Sequence, residues 1–484
     1  MTTINAKRNL TLLMDFYELT MAAGYFEEGC EDKVGVFDMF FRRVPDNGGF
    51  AITAGLAQFC EVIDSLHFSD EDIEYLRGKE CFSEKFLEYL RHFEFHCNIW
   101  AVPEGTPVFP HEPIVTVEGP AIEAQLIETL LLVTFNHQSL ICTKTNRIVR
   151  AAKGRPIMEF GSRRAQGYDA AVLGARAAYI GGVVGTACVM ADRQYGIPAL
   201  GTMAHSWVQM FPSEYEAFAA YAKLYPDNCT LLVDTYSVLK SGVPNAIRVF
   251  NEVLAPMGVR PKGIRIDSGD IAYLSKRARR MLDEAGYPDC GICASNSLDE
   301  YLVRDLIQQD AKVDSFGIGE NMITSKSDPV FGGVYKLAAV KMPDGTYIPK
   351  IKISETAEKT TIPHLKNLYR IYDDATGKAM ADYITMYDEE ADTENGITLF
   401  DPVETWKSRT FTGVHAKRLN IPVYVNGRRV YENPSLTEIR SYCSAQVDTL
   451  WDEVKRFENP HRYYVDLSQK LWDERHRLLK EMGR

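Results

Sequence analysis

The 484-residue sequence has no continuous apolar run long enough to cross a membrane. Stretches such as Leu130–Phe135 fall far short of the roughly 20 residues a spanning helix requires. The opening MTTINAKRNL lacks the apolar segment of a secretory leader, so a cytoplasmic protein is expected. Positive charge is in deficit, with 54 Lys+Arg against 66 Asp+Glu and a net charge of −12. Such a field repels nucleic acid and anionic membrane, so neither is expected as a partner, and an anionic substrate would need a local group of arginines. Low-complexity tracts and internal repeats are missing. The 10 cysteines are scattered without the spacing of a disulfide framework, which reads as reduced, mostly buried thiols. Cys290 and Cys293 have CxxC spacing, but with no second pair and no close histidine they read as two residues of a buried strand. No protein-ligated metal cluster is expected.

What is present is an average globular composition, 45% hydrophobic, 25% charged and 11% aromatic, which excludes disorder, collagen and coiled coil. The length suggests about two or three domains. Residues 1–125 mix a helix, Leu12–Phe26, with strands at Val34–Phe41, Phe50–Thr53, Asn98–Val102 and Pro113–Glu118, an α+β unit. Residues 126–340 begin with a long apolar helix and continue as strands alternating with amphipathic helices. The strands are expected at Pro156–Phe160, Ala199–Ala204, Thr230–Asp234, Gly263–Ile266, Gly291–Ala294 and Val313–Phe316. Helices are expected at Ile271–Ala285 and Leu298–Gln308. Later strands recur at roughly 20 to 35 residues, the length of one βα unit, so a parallel sheet is expected, and the number of units favours a closed barrel over an open sheet. Residues 341–484 turn β-rich (Val340–Ile353, Tyr369–Tyr387) and end in a helical tail with Leu467, Leu471, Leu478 and Leu479 on one face.

In a βα barrel, chemistry gathers at the C-terminal ends of the strands. The first strand is followed by Glu159–Gly167, where Phe160 precedes two arginines, Arg163 and Arg164, flanked by glycines. The guanidinium fork suits carboxylate or phosphate, although solvated surface charge would look the same. The second strand ends at Gly201-Thr202-Met203-Ala204-His205, whose histidine suits a base, a nucleophile or a ligand, or packs as an ordinary side chain. The third ends at Asp234-Thr235-Tyr236. The fourth reads Arg265-Ile266-Asp267-Ser268-Gly269-Asp270, which places Arg265 and Asp267 on one face and Asp270 at the mouth. Carboxylates there suit Mg²⁺ or sugar hydroxyls, and a structural pair is the plain alternative. The fifth ends at Ser295-Asn296-Ser297. The last carries Gly317, Gly319 and then Thr324-Ser325, either a tight turn or a phosphate loop where barrels commonly hold one. Together these residues suggest a phosphorylated sugar that meets a second, anionic substrate.

Six separated stretches occur in order: Asp15–Met21, Glu159–Gly167, Gly201–His205, Arg265–Asp270, Gly332–Lys336 and Pro460–Ser468. Taken together, from about residue 10 to the tail, the chain resembles the nicotinate phosphoribosyltransferase family. The resemblance implies an α/β fold in which an irregular βα barrel (TIM-like, type II phosphoribosyltransferase) stands beside an α/β sandwich domain, to which the C-terminal segment returns. It implies a homodimer with a shared active site, and a reaction joining nicotinate to 5-phosphoribosyl 1-pyrophosphate with release of pyrophosphate. Mg²⁺ is the implied cofactor, ATP the implied co-substrate, and NAD salvage the setting. By similarity, Phe160 stacks on the pyridine ring and Tyr17 of the partner subunit covers the other face. Arg163 and Arg265 supply positive charge, His205 is the phosphorylated histidine, and Thr202 lies beside it. The residues suit this chemistry, because a pyridine nitrogen already carries a lone pair and needs no general base. Catalysis would come from positioning and charge stabilisation of an oxocarbenium-like state. Asp267 would hold ribose hydroxyls, Gly317, Gly319 and Thr324 would seat the 5-phosphate, and Asp270 and Asn296 would complete the substrate contacts.

Three other readings compete. A nicotinamide phosphoribosyltransferase has an aspartate near the pocket, whereas the corresponding Gly181-Gly182-Val183-Val184 has Val183 and no acid, which removes repulsion toward nicotinate. A βα-barrel phosphosugar lyase or isomerase would want a lysine or paired acid–base carboxylates at a strand end, and no such lysine occurs. A non-catalytic nucleotide binder has no use for a phosphorylatable His205.

Overall fold

A computed structural model describes residues 8–354 and 359–482. The chain forms two compact units, one from the chain up to Thr143 together with Val330 onward, the other from Lys144–Pro329.

In the first unit a seven-stranded sheet has Val34–Phe40 among its inner strands, running antiparallel to Val334–Lys341 on one side and to the central Val115–Pro120 on the other. The remaining strands are Tyr347–Pro349 at one edge and Asn98–Ala101, Ile421–Val425 and Arg428–Arg429 toward the other. Phe37, Ile99 and Val117 share one apolar cluster with Tyr335, Val423, Leu467 and Leu471. Early and late parts of the chain bury the same core, so neither covers its hydrophobic face alone. A four-stranded sheet orders Val414–Arg418, Lys366–Asp373, Ala379–Met386 and Val465–Leu467. Arg370 and Asp382 stand directly opposite each other across its central pair and are fully buried. Arg370 donates to both carboxylate oxygens, Nε to Oδ1 at 2.7 Å and Nη2 to Oδ2 at 2.6 Å, and also to the Pro107 carbonyl at 2.8 Å. Tyr463 donates its hydroxyl to Asp382 at 3.1 Å.

The second unit holds six parallel strands in the order Gly185–Thr186, Ile157–Glu159, Ser315–Ile318, Gly291–Asn296, Gly263–Ile266, Thr230–Leu232. A parallel bridge from Thr186 to Ala199 extends the first edge. The α/β class and the parallel sheet expected from the sequence are present. A closed ladder is not: among the described residues no backbone pairing joins the Ala199 edge to Thr230–Leu232. The expected strand Ala199–Ala204 is reduced to that single bridge, because the chain leaves the sheet after one residue and enters the helix His205–Gln209. Sequence patterning also passes over Gly185–Thr186, which is too short to show alternation. The helix Ile271–Glu284 buries Ile271, Ser275, Ala278 and Leu282 along one face, and Asp270 caps it by accepting from the Tyr273 amide at 2.9 Å. No helix among the described residues is long and apolar enough to cross a membrane.

Candidate active site

Four strand ends of the second unit converge. Arg265, on Gly263–Ile266, divides its guanidinium among Ser295 Oγ at 2.8 Å, Asp267 Oδ1 at 3.1 Å and Thr202 Oγ1 at 3.3 Å. Its charge also lies 5.6 Å from the centroid of the Phe160 ring. Ser295 donates its hydroxyl to the same Asp267 Oδ1. Asp267 Oδ2 is left facing His205 Nε2 at 3.8 Å. The other ring nitrogen, Nδ1, is hydrogen-bonded to Thr235 Oγ1 at 3.1 Å. His205 follows the Ala199 edge and Thr235 follows the Thr230–Leu232 edge, so this bond joins the two ends of the sheet that the backbone leaves unpaired.

Asp234 is only 1% exposed. Its Oδ2 accepts from the Asp267 amide at 3.1 Å and from Ser268 Oγ at 2.6 Å. Its Oδ1 has no hydrogen-bond partner and points toward His205 Nε2 at 4.0 Å. A buried carboxylate oxygen without a donor is costly, so the site retains an acceptor that a ligand or a charged imidazole can satisfy. His205 itself is 40% exposed, accessible to an incoming molecule.

Gly317 and Gly319 have a packing reason. A Cβ on Gly317 would fall 2.4 Å from Phe160 Cδ2, and one on Gly319 would fall 2.8 Å from the Phe160 carbonyl oxygen. The ring of Phe160 lies against the backbone of the neighbouring strand, and only glycine leaves room for it. Beneath Phe160, Glu159 is buried; burial raises its carboxyl above the ordinary range, while Thr186 Oγ1, at 2.6 Å, and the Gly161 amide donate to it. Asn296 ends its strand at φ 132°, a conformation that costs a side-chain-bearing residue about 1–3 kcal/mol and is concentrated at functional sites. Its Oδ1 accepts from the Ser297 amide at 2.7 Å.

The other expected residues are placed as follows. Arg163 lies exposed in the short turn Ser162–Arg164. Asp270 is exposed at the cap described above, and Thr324 donates its hydroxyl to the Glu320 carbonyl at 2.7 Å. Tyr17 belongs to the first unit, on the helix Phe16–Glu27, and is 44% exposed. Burial, and then the Glu128 carboxylate, raise its hydroxyl above the usual tyrosine range. The structure thus brings together His205, Arg265, Asp267, Thr202 and Phe160, and adds Asp234, Thr235 and Ser295, to which sequence reasoning assigned no role. Their signal was position alone, directly after a strand. Val183 is fully buried while its neighbour Val184 is 37% exposed, so Val184 is the side chain that the segment presents outward, and it too carries no acid. Cys290 and Cys293 are free and buried, with burial pushing the Cys290 thiol to about 12 and the Cys293 thiol upward; of the two only Cys293 is in the strand Gly291–Asn296, Cys290 standing just before it. Among the described residues no group of three or more metal-ligating side chains occurs.

Three family models match the chain. They are the nicotinate phosphoribosyltransferase N-terminal domain over residues 12–136, the nicotinate phosphoribosyltransferase family over residues 156–380, and the nicotinate phosphoribosyltransferase C-terminal domain over residues 365–475. A nicotinate phosphoribosyltransferase of Bacillus subtilis is 42% identical over 476 residues, covering 98% of this chain and 96% of the relative. A human nicotinate phosphoribosyltransferase is 30% identical over 517 residues, covering 95% of each. The crystal structure of human nicotinic acid phosphoribosyltransferase superposes with a TM-score of 0.83 at 27% identity, covering 97% of this chain and 100% of that one. A nicotinate-nucleotide pyrophosphorylase from Pyrococcus furiosus shares the fold, with a TM-score of 0.69 at 22% identity over 91% of this chain and 96% of its own.

Proposed function

Since the chain belongs to the nicotinate phosphoribosyltransferase family, we propose that the cluster around His205, Arg265 and Asp267 is where it joins nicotinate to 5-phosphoribosyl 1-pyrophosphate. The products are nicotinate mononucleotide and pyrophosphate, and the reaction belongs to NAD salvage. The convergence of these side chains on one rim, in a chain 42% identical to a named relative, carries the reading.

The pyridine nitrogen forms its bond to the anomeric carbon while the bond to pyrophosphate breaks, and the electron pair leaves with pyrophosphate. No proton moves, so the protein's part is placement and charge. Phe160 offers its ring to the pyridine, and Arg265, held on three sides, sets a fixed positive charge beside that ring for the nicotinate carboxylate. Arg163 adds a second cation from its exposed turn. Asp267 Oδ2, unused by Arg265 and Ser295, is free for ribose hydroxyls and stabilises the positive charge that develops on the sugar. Asp270 and Asn296 flank the sugar, and Gly317, Gly319 and Thr324 seat the 5-phosphate at the last strand end.

His205 is the residue that couples ATP. With the Nε2 proton turned toward Asp234 and Asp267, the lone pair resides on Nδ1, where it accepts from Thr235 Oγ1; once that hydroxyl turns away, Nδ1 attacks the γ-phosphorus of ATP as the bond to ADP breaks. The phosphoenzyme binds substrate more tightly, and Thr202 lines the approach. The donor set suits Mg²⁺: exposed Asp270 uses only Oδ1 in its cap, its other oxygen is a hard donor that would hold the ion, and Mg²⁺ is ordinarily held by one or two carboxylates, waters and substrate phosphates. When bound, Mg²⁺ neutralises the departing pyrophosphate.

The His205–Thr235 bond supports an irregular barrel closed by side chains rather than by a backbone ladder. Tyr168, Val189, Met190, Met210 and Tyr236 follow successive strands and are more than half exposed, an apolar rim that supports a homodimer. Across that dimer, Tyr17 of the partner subunit would cover the pyridine. Ten free cysteines support a cytoplasmic location.

The test supplies Mg²⁺, 5-phosphoribosyl 1-pyrophosphate and either nicotinate, nicotinamide or quinolinate, with and without ATP, and follows pyrophosphate release. Nicotinate alone should be turned over, faster with ATP. His205→Ala should lose the stimulation by ATP and keep a slower, ATP-independent transfer. Full stimulation in that variant would remove His205 from the role.

A further inference from the structure

The segment Pro460–Ser468 has no task in the chemistry above, yet it lines a cleft of about 340 Å³ within the first unit. The volume is at the lower end of the range of small-molecule sites. The walls are largely aromatic, from Phe411, Trp451, Tyr463 and Tyr464. Trp451 is 45% exposed but fixed, because its indole N–H donates to the Ala379 carbonyl at 2.9 Å. Tyr464 is tied to His461 Nε2 at 2.9 Å, and the His461 amide donates to the Glu453 carbonyl at 2.9 Å. Arg409 lies flat over Tyr464, its guanidinium carbon 3.4 Å from the ring centroid. Among the described residues the Arg409 guanidinium makes no hydrogen bond or ion pair; its backbone pairs opposite Leu399, and its charge acts on the carboxyl of Asp466. It is a cation oriented by stacking, with its donors unengaged.

We propose that this cleft is a second, non-catalytic binding site for a planar heteroaromatic anion, whose ring packs on the aromatic walls and whose carboxylate or phosphate engages Arg409. Aromatic walls select a flat ring, and a stacked guanidinium presents its donor fork in the geometry that planar anions match. The preorganised walls limit the ordering cost of binding. The proposal does not depend on the catalytic roles assigned to the other unit.

Equilibrium dialysis with radiolabelled nicotinate, nicotinate mononucleotide and AMP, on the full-length protein, tests it. At least one probe should fill one site per chain beyond the catalytic one, and this class should persist in Asp267→Ala. Arg409→Gln should weaken it about tenfold, the usual effect of losing one charge-assisted hydrogen-bond partner. Trp451→Phe should weaken it less, and both variants should turn over at wild-type rates. Nicotinate bound in preference to AMP would identify carboxylate as the anchor; AMP in preference to nicotinate would identify phosphate. Catalytic-site stoichiometry for all three probes, or an extra site that Arg409→Gln and Trp451→Phe leave unchanged, would overturn the proposal.

Discussion

Two arginine–aspartate pairs, one in each unit, use the same chemistry to opposite ends. Arg370 and Asp382 face each other across antiparallel strands with no exposure, and both carboxylate oxygens are filled by the guanidinium, with Tyr463 and Pro107 completing the set. Arg265, on the strand Gly263–Ile266, and Asp267, just past its end, have side chains 13% and 29% exposed. There the hydrogen bonds gather on Oδ1 and leave Oδ2 open toward His205. Next to that opening stands Asp234 with one oxygen unpartnered. The Asp382 carboxylate is filled by fixed donors and serves the fold, although Arg370 Nη1 is left without a partner, while Asp267 Oδ2 and Asp234 Oδ1 keep acceptors that a ligand can take.

The contrast can be broken at several points. The largest effect on turnover is expected from Asp267→Ala, which should lower kcat/KM at least about a thousandfold, the scale of removing a preorganised charge from a transition state. Its unfolding midpoint in urea should stay close to wild type; a large drop there would make Asp267 a structural residue like Asp382. Arg370→Ala should do the reverse, with a loss of about 3 kcal/mol of stability in urea unfolding because Asp382 is left buried and unpaired. Activity per folded molecule should be retained, and a stable but inactive Arg370→Ala protein would erase the distinction between the pairs. A smaller effect is expected from Asp234→Asn, which keeps an acceptor for the Asp267 amide but removes the charge facing His205. ATP-stimulated transfer should fall about a hundredfold, the low end of the range for a proton-handling partner, with ATP-independent transfer retained. Equal losses in both would show that Asp234 only scaffolds the strand ends.

Much of the second unit is legible in the sequence. The strand Gly263–Ile266 lies where its apolar, β-rich run places it, and the helix after it begins at Asp270 because that carboxylate caps it. Strand-end reading singled out His205, Arg265 and Asp267, since residues placed directly after parallel strands face a common rim. Ser295 and Thr235 were passed over because serine and threonine after a strand are ordinary loop residues until their bonds are seen. The glycines of the last strand suggested a phosphate loop, and the packing of Phe160 on Gly317 is a separate reason for them that no spacing rule contains. In the first unit, periodicity located Val34–Phe40 but could not show that Val334–Lys341 would pair with it, about 300 positions later.

Local order in the chain determined the elements, their caps and the kinds of side chain at each strand end, because these depend on neighbours within a few positions. Only the tertiary structure decided which carboxylate is saturated and which is open, since that depends on donors arriving from distant segments. The same holds for the curl that brings His205 to Thr235, which is set by how the sheet twists over its whole width and not by any one stretch of sequence.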